Sequence, residues 1–356
     1  MILTSKIKLI PNRTQYNQLK ETMKIFNLAC NKISEIAFDE KCFSKVKIQQ
    51  ICYYQIKDEF LLSSQMVIRA IAKVCESYKV NKDSLHTFKE TGAVVYDQRN
   101  LSFKGIEIAS ISSLDGRIEV PMIISSYHKG YMEGKRVKGQ AELVISEGIF
   151  YLLLAVEFPE DTPIKTEDFL GIDLGIVNIA TDSTGEKFSG SKLNSLRLRY
   201  KKIRSKLQSK GTKSAKRLLK SRSKKEARMV ADANHVISKQ LVEKAKRHNL
   251  SIALEDLNGI SKKKTKKKTV IKALRTQLSN WSFYQLQLFI QYKAQLLGVP
   301  VIFVKPYYTS QECSCCGYTE KENRVSQSKF ICKSCGFSAN ADYNASLNIR
   351  RRANVK

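Results

Sequence analysis

The sequence predicts an α+β, multidomain chain. A small β-barrel carries a helical lobe inserted after its first strand, and an α/β domain interrupted by a four-cysteine ribbon follows. Three observations point there: helical apolar spacing through the first quarter, short β-rich runs from about residue 92 to 160, and alternating strands and helices from Phe169 onward around a cysteine-dense window.

Taken in order, KIKLI reads as a strand ahead of Pro11, and because it precedes the helices it supplies the first strand of the barrel. Tyr16, Leu19, Met23, Phe26, Cys30, Ile33 and Ala37 recur at steps of three and four, one face of a helix. Ser63 and Ser64 are placed to cap a second helix, in which Val67, Ile71, Val74 and Tyr78 repeat that spacing. The runs VVY, LSF, IEIASI, RIEVPMII, AELVI and FYLLLAVEF then read as barrel strands, with hairpin signals at Asp115-Gly116 and Glu147-Gly148. From Phe169, LGIDL, VNIATD and EKFSG are three strands, the last two joined by a turn at Ser183 to Gly185. A basic helical stretch runs from Lys192 to about His248, and its Lys192 to Arg228 portion holds 16 Lys/Arg against one acid, Glu226. The strand SIALEDL, the loop SKKKTKKK, an amphipathic helix around WSFYQLQLFIQYKAQLLG, the strand VPVIFV, the cysteine window and a helix from near Asn340 complete the series. Without that window the order is β-β-β-α-β-α-β-α, that of an RNase H-like fold.

Composition narrows the function class. The 356 residues include 62 Lys+Arg and 33 Asp+Glu, a formal charge of +29, and 42% are hydrophobic. Real cores are therefore within reach, while a mean hydropathy of −0.31 and no apolar run near the ~18 residues of a membrane span argue for a soluble protein with no membrane partner. MILTSKIKLI is too short and too interrupted by lysine for a signal peptide, so the expected location is the cytoplasm or the nucleoid. Such a charge excess repels itself unless a polyanion neutralises it, and nucleic acid is the commonest intracellular one.

Nine cysteines split unevenly. Cys30, Cys42, Cys52 and Cys75 fall in apolar helical patterns and read as small core residues. Cys313, Cys316, Cys332 and Cys335 form C-x2-C-x15-C-x2-C, two knuckles that complete one tetrahedral site of four thiolates, expected to hold one structural zinc per chain. Gly317 and Gly336 follow the knuckles where a ribbon turn calls for positive φ. Cys315 is a bystander. A second constellation is Asp173 in LGIDLG, Glu255 in IALEDL and Asp342 in NADYNAS. In the element order above these acids converge at one sheet edge, and three adjacent carboxylates repel one another unless a divalent cation binds between them. Two magnesium or manganese ions there suit phosphodiester hydrolysis, one preparing water and the other stabilising the leaving 3′-oxygen. Taken singly, Asp173 could cap a turn, Glu255 or Asp256 could face solvent, and Asp342 could answer a helix dipole. The third element is basic: Lys201, Lys202, Arg204, Lys210, Lys213, Lys216 and Arg217 form a stripe too dense for i,i+4 pairing, and Lys262, Lys263, Lys264, Lys266, Lys267 and Lys268 form a loop after the Glu255 strand. Both are expected to contact phosphates.

These residues resemble a known family. GIDLG, IALEDLNGI, WSFYQLQLFIQYKAQLLGVPVIFVKPYYTSQECSCCG and FICKSCGFSANADYNASLNI together resemble TnpB, the RNA-guided DNA endonuclease family of bacterial and archaeal insertion sequences, related to type V CRISPR effectors. SSQMVIRAIAKVCESYK looks like its recognition-lobe helix, and YDQRNLSF with SISSLDGRIEVP like its wedge barrel, so the likeness spans essentially the whole chain. It implies a wedge-like barrel over 1–10 and 88–165, a recognition lobe over 11–87, a RuvC-like nuclease domain over 166–310 and 337–356, and a zinc ribbon over 311–336. It also implies Asp173, Glu255 and Asp342 as catalytic acids, a guide RNA from the transposon end, and a double-stranded DNA target beside a short motif. On that reading Gln65 and Arg69 are candidates for meeting the motif or its backbone, the alternative being a solvated helix face. Arg324 is a candidate for holding the cleaved strand, the alternative being a solvated ribbon loop. Some members that have lost their acids act as RNA-guided repressors, whereas all three acids stand here. The rivals are a repressor, RNA-guided or plain, that binds DNA without cutting, and a guide-free RNase H or junction-resolvase nuclease, which needs less than this lobe, barrel and ribbon.

Overall fold

Ser5, Ile7 and Leu9 point inward from β1 (Ile2–Leu9), with exposed residues between them, the alternation of a strand with one wet face. In the computed structural model, residues 1–125, 129, 137–257 and 283–354 are described, and the chain divides into two units, Met1–Pro159 and Glu160–Lys356.

In the first unit β1 lies mid-sheet, antiparallel to both neighbours. The other strands are β2 (Val94–Asp97), β3 (Leu101–Lys104), β4 (Ile108–Ser113), β5 (Gly116–Ile123), β6 (Val137–Ser146) and β7 (Ile149–Glu157). They form a barrel-like sheet of seven strands among the described residues, in the order β2-β6-β7-β1-β5-β4-β3. KIKLI thus supplies a barrel strand that the sequence separates from its partners. Glu147 and Gly148 both take positive φ, 54° and 78°, as a two-residue type I′ turn between β6 and β7 demands.

Helices α1 (Arg13–Asp39), α2 (Lys45–Phe60) and α3 (Ser64–Tyr78) fill the insertion. α1 starts on a capping box: Asn12 Oδ1 accepts from the Gln15 amide, and Gln15 Oε1 accepts from that of Asn12. Its expected face is buried from Leu19 to Ala37, with Tyr16 at the margin, edge-on to Phe150. Ser63 is the N-cap of α3, yet its hydroxyl makes no capping bond. The sequence reading leaves α2 unassigned, because only Ile48, Cys52 and Ile56 of it are buried. Cys30, Cys52 and Cys75 are core residues. Cys42 corrects the expectation: it is half-buried in the α1–α2 connection, because the chain leaves the helix at Glu40.

In the second unit β8 (Phe169–Asp173), β9 (Asn178–Asp182), β10 (Lys187–Ser189), β11 (Ser251–Glu255) and β12 (Val301–Val304) form a mixed sheet in the order β10-β9-β8-β11-β12. β8, β11 and β12 are parallel. The basic stretch is three helices and not one: α4 (Ser191–Lys210), α5 (Lys213–Arg222) and α6 (Lys225–Arg247). Gly211, at φ 63°, ends α4, and Thr212 caps α5 through its hydroxyl. α6 and α7 (Phe283–Leu296) bury Leu241, Val242, Leu286 and Ile290 against Leu170, Ile172, Ile252 and Leu254. Alternation turns Ala253 to the other face, where α8 (Ala341–Asn354) packs Ile349 and Ala353 against it. Gly171 makes that approach possible: a Cβ there would stand 2.2 Å from the Ser346 carbonyl oxygen on α8. Between β12 and α8 lies the cysteine segment, with a small hairpin of β13 (Lys329–Ile331) and β14 (Ser338–Asn340). The SKKKTKKK loop, with its Lys262 to Lys268, lies outside the described residues, as does Trp281.

Candidate functional site

Asp173 ends β8 and Glu255 ends β11, and because these parallel neighbours pair Ile172 with Leu254, both acids leave the same sheet edge. Ile172 and Leu254 face α6 and α7, so Asp173 and Glu255 face α8. Asp342 stands there, in the first turn of α8, which Asn340 caps by accepting the amides of Asp342 and Tyr343. Three acids distant in sequence are thus gathered by strand register, strand parity and one helix cap.

The electrostatics fit crowded carboxylates. Burial pushes Asp173 well above its ordinary 3.8, the charges of Glu255 and Asp342 push it further, and Arg324 opposes them. Burial also raises Glu255, against a hydrogen bond from the Thr309 hydroxyl and the charge of Arg352. Gln287 on α7 fixes the strand end by donating to the Glu255 carbonyl at 2.7 Å. Asp342 Oδ2 accepts from Asn178 of β9 at 2.8 Å, and the Arg324 guanidinium lies 3.8 Å from Oδ1. Arg324 is therefore no solvated ribbon residue; it reaches from between the knuckles to the acid on α8. Nearby Asp182 is a different kind of acid, fully buried and paired with Lys244 at 2.5 Å. Asn178, Thr309 and Gln287 were not legible as site residues, since single polar residues at a strand start, in a loop and within a helix carry no spacing signature.

The four expected cysteines come together. Cys313 and Cys335 sulfurs are 3.7 Å apart, those of Cys316 and Cys332 3.5 Å, and all four lie within 4.8 Å of one another. A tetrahedron with metal–sulfur bonds of about 2.3 Å has edges of about 3.8 Å, so the cluster can hold a metal ion such as zinc. Among the described residues it is the one such tight group, and the three carboxylates spread wider than that. Gly317 and Gly336 take φ of 78° and 73°, as expected after each knuckle, and Cys315 is exposed outside the cluster.

Cysteine segment and acid centre share supports. Asn344 on α8 accepts from the Ser314 amide, Asn344 and Asn348 both donate to the Glu312 carbonyl, and Asn348 also holds the Thr309 carbonyl. Arg351 and Arg352 both reach the Glu312 carboxylate. The helix that carries Asp342 therefore also holds the loop whose Thr309 orients Glu255.

Lys201, Lys202 and Arg204 of α4 and Lys213, Lys216 and Arg217 of α5 are all exposed, with Arg204 paired to Glu226 at 2.6 Å. In the first unit Gln65 and Arg69 are not a solvated face. Gln65 donates to Asp97, Arg69 donates to Gln140 at 2.7 Å, and the four line a cleft with Lys45 and Arg99.

Comparison with known proteins agrees across both units. Residues 153–260 match a family model described as a probable transposase (OrfB_IS605), and residues 283–349 match the Cas12f1-like TNB domain. The chain is 25% identical to a CRISPR-associated endodeoxyribonuclease Cas12f1 of Sulfoacidibacillus thermotolerans over 93% of this chain and 91% of that one. It is 29% identical to a TnpB-like protein of Methanocaldococcus jannaschii over 70% of this chain and 92% of the relative. A putative RNA-guided DNA endonuclease, InsQ, of Escherichia coli is 25% identical over 83% and 75%. Among solved structures, a Cas12f1–sgRNA–target DNA complex superposes with a TM-score of 0.64 at 16% identity, covering 94% of this chain and 81% of that one, a likeness of fold. No helix among the described residues is long and apolar enough to cross a membrane. By sequence over most of its length and by fold, the chain is similar to the TnpB-like and Cas12f proteins.

Proposed function

We propose that the protein is an RNA-guided DNA endonuclease of an insertion sequence, which cuts double-stranded DNA beside a short motif in a RuvC-like, RNase H-type site. The observation that carries this is the convergence of Asp173, Glu255 and Asp342 on the α8 side of one sheet edge, where burial and mutual repulsion disfavour three negative charges. An all-oxygen donor set with one nearby guanidinium fits hard divalent cations, magnesium or manganese, and these three residues would hold two of them. When bound, such ions supply Lewis acidity to the phosphodiester and lower the pKa of water. The chain's own part is to orient: Thr309 fixes the Glu255 carboxyl, Asn178 fixes Asp342, and Arg324 balances charge at Asp342 where a phosphate would approach.

The four cysteines hold one structural zinc per chain, and a closed thiolate site leaves it no catalytic position. The guide RNA, from the transposon end, supplies sequence specificity by pairing, while the barrel and helical insertion meet the duplex and its motif, Gln65 and Arg69 included. The exposed bases of α4 and α5 contact phosphates. With +29 formal charge the protein works in the cytoplasm on the nucleoid.

The test is to sequence the RNA that copurifies and to challenge the complex with a matched duplex. Cutting in magnesium but not in EDTA, abolished by Asp173→Ala with target binding retained, is the expected result. Motif-dependent binding that leaves both strands whole would replace this reading with the repressor, and cutting without RNA would replace it with a guide-free nuclease.

A further inference from the structure

Three tyrosines lie within three residues in sequence of the groups that touch Glu255, and all three rings stand in solvent. Tyr307 and Tyr308 are 65% and 62% exposed, and Tyr308 directly precedes Thr309, whose hydroxyl holds the Glu255 carboxyl. Tyr284, 64% exposed, lies one helical turn before Gln287, which holds the Glu255 carbonyl. A large apolar side chain left this exposed forgoes burial worth roughly 1.5–3 kcal/mol, so three beside the residues that hold Glu255 are not explained by folding.

The backbone beneath them is held rather than loose. Arg352 donates to the carbonyls of Lys305 and Tyr307 at 3.1 and 2.6 Å, and Asn348 donates to that of Thr309 at 2.9 Å. Tyr308 itself sits at φ +60°, a left-handed conformation uncommon for a bulky residue, and its carbonyl accepts the amides of Gln311 and Glu312, both at 2.9 Å. A strained backbone position, fixed on its inner side and presenting an aromatic ring outward, is the kind of outlier that marks a binding surface.

We propose that Tyr307, Tyr308 and Tyr284 form a base-stacking rim that grips unpaired bases of single-stranded DNA at the edge of the acid centre, next to the phosphate to be cut. Unpaired DNA is the occupant that fits. Its bases offer π-faces to the rings, its phosphates suit a chain of +29 formal charge, and a duplex keeps those faces stacked inside. The rim rests on the nuclease reading for its purpose, while the binding itself is measurable without any cleavage.

The full-length protein with its copurified RNA is titrated in EDTA with a fluorescein-labelled thymidine oligonucleotide, and anisotropy is read. Tyr307→Ala with Tyr308→Gly removes two rings and, at 308, also relieves the left-handed strain, so zinc content and thermal midpoint should match wild type. Affinity should fall about tenfold for each ring removed, and Tyr307→Phe with Tyr308→Phe should restore it, because stacking needs the ring and not the hydroxyl. The slope of log affinity against log salt should not change, since every phosphate-binding group is kept. Ring-less variants that bind within about twofold of wild type, or Phe variants as weak as them, overturn the rim whatever the cleavage assay shows. Weakened oligonucleotide binding by the ring-less variants, together with a wild-type complex that never cuts a matched duplex, leaves the rim standing and removes the nuclease reading.

Discussion

Gly171→Ala is a one-methyl perturbation with a magnitude that follows from geometry. Its φ is not in the left-handed region, so the cost is spatial: the new Cβ would lie 2.2 Å from the Ser346 carbonyl oxygen, 2.6 Å from the Arg350 nitrogen and 3.0 Å from the Arg350 Cβ. Two of these are backbone atoms of α8 and cannot rotate away. Reaching an ordinary contact of about 3.4 Å means moving helix and strand apart by about 1.2 Å, and overpacking of this kind costs about 1–3 kcal/mol. For a unit of this size that lowers the midpoint of thermal unfolding by roughly 2–12 °C. The same movement separates Asp342 on α8 from Asp173, two residues beyond Gly171 on β8. A misplacement of about 1 Å costs on the order of a hundredfold in rate, far more than the loss of stability alone removes at a temperature where the fold persists. Thermal unfolding followed by circular dichroism and cleavage of a matched duplex at 25 °C, each done in parallel with wild type, are the two measurements. Wild-type cutting by a variant that melts at the wild-type temperature would refute the close packing of α8 on β8 as the device that sets the acid spacing.

Asp173 should make metal-free stability depend on pH with a definite sign. Its folded-state pKa is raised, so above the ordinary 3.8 the folded state binds more protons than the unfolded one, and stability falls as pH rises through the window between the two values. Asp173→Asn should flatten that fall in EDTA, and melting curves from pH 4 to 7 that superpose for the two proteins contradict it. Cys316→Ser should lose zinc by elemental analysis and loosen α8 through the Ser314–Asn344 bond, whereas Cys315→Ser should keep both zinc and melting temperature. Thr309→Val should slow cutting about tenfold or more by freeing the Glu255 carboxyl while leaving target affinity intact, and Thr309→Ser should recover it. Replacing Lys201, Lys202, Lys213 and Lys216 with Ala should weaken RNA binding at low salt and lower the salt slope by about one for each phosphate the chain no longer neutralises; an unchanged slope removes the stripe from the interface.

What the sequence disclosed was what short-range pattern encodes. The α1 face, the barrel runs, the order of strands and helices after Phe169 and the two knuckles all rest on spacing, and spacing survives in a single sequence. α2 escaped because Val46, Ile51 and Tyr54 stay exposed opposite Ile48, Cys52 and Ile56, so its apolar residues do not gather on one face. Gly211 was visible, but one glycine inside a long basic run does not announce a chain reversal until the left-handed cap is seen. The acids could be named from strand-end position, yet their neighbours could not. Thr309, Asn178 and Arg352 reach the centre through contacts tens to hundreds of residues apart, and no local rule marks one buried polar residue over another. Gln65 and Arg69, as readily taken for a solvated face, turned out to be engaged with Asp97 and Gln140 across two strands.

The seat of Asp342 on a helix that closes over β8 also has a consequence in time. Asp173, Glu255 and Asp342 leave the ribosome in that order, the last of them 169 residues after the first. At about 5–20 residues per second, this is roughly 8–34 s of translation during which the sheet can form while its third carboxylate has yet to be made. On the proposed function, a nascent chain that already carries the basic helices can meet nucleic acid before it has a complete acid centre. If the three acids cut DNA as proposed, the order of synthesis itself holds that activity back until α8 has docked.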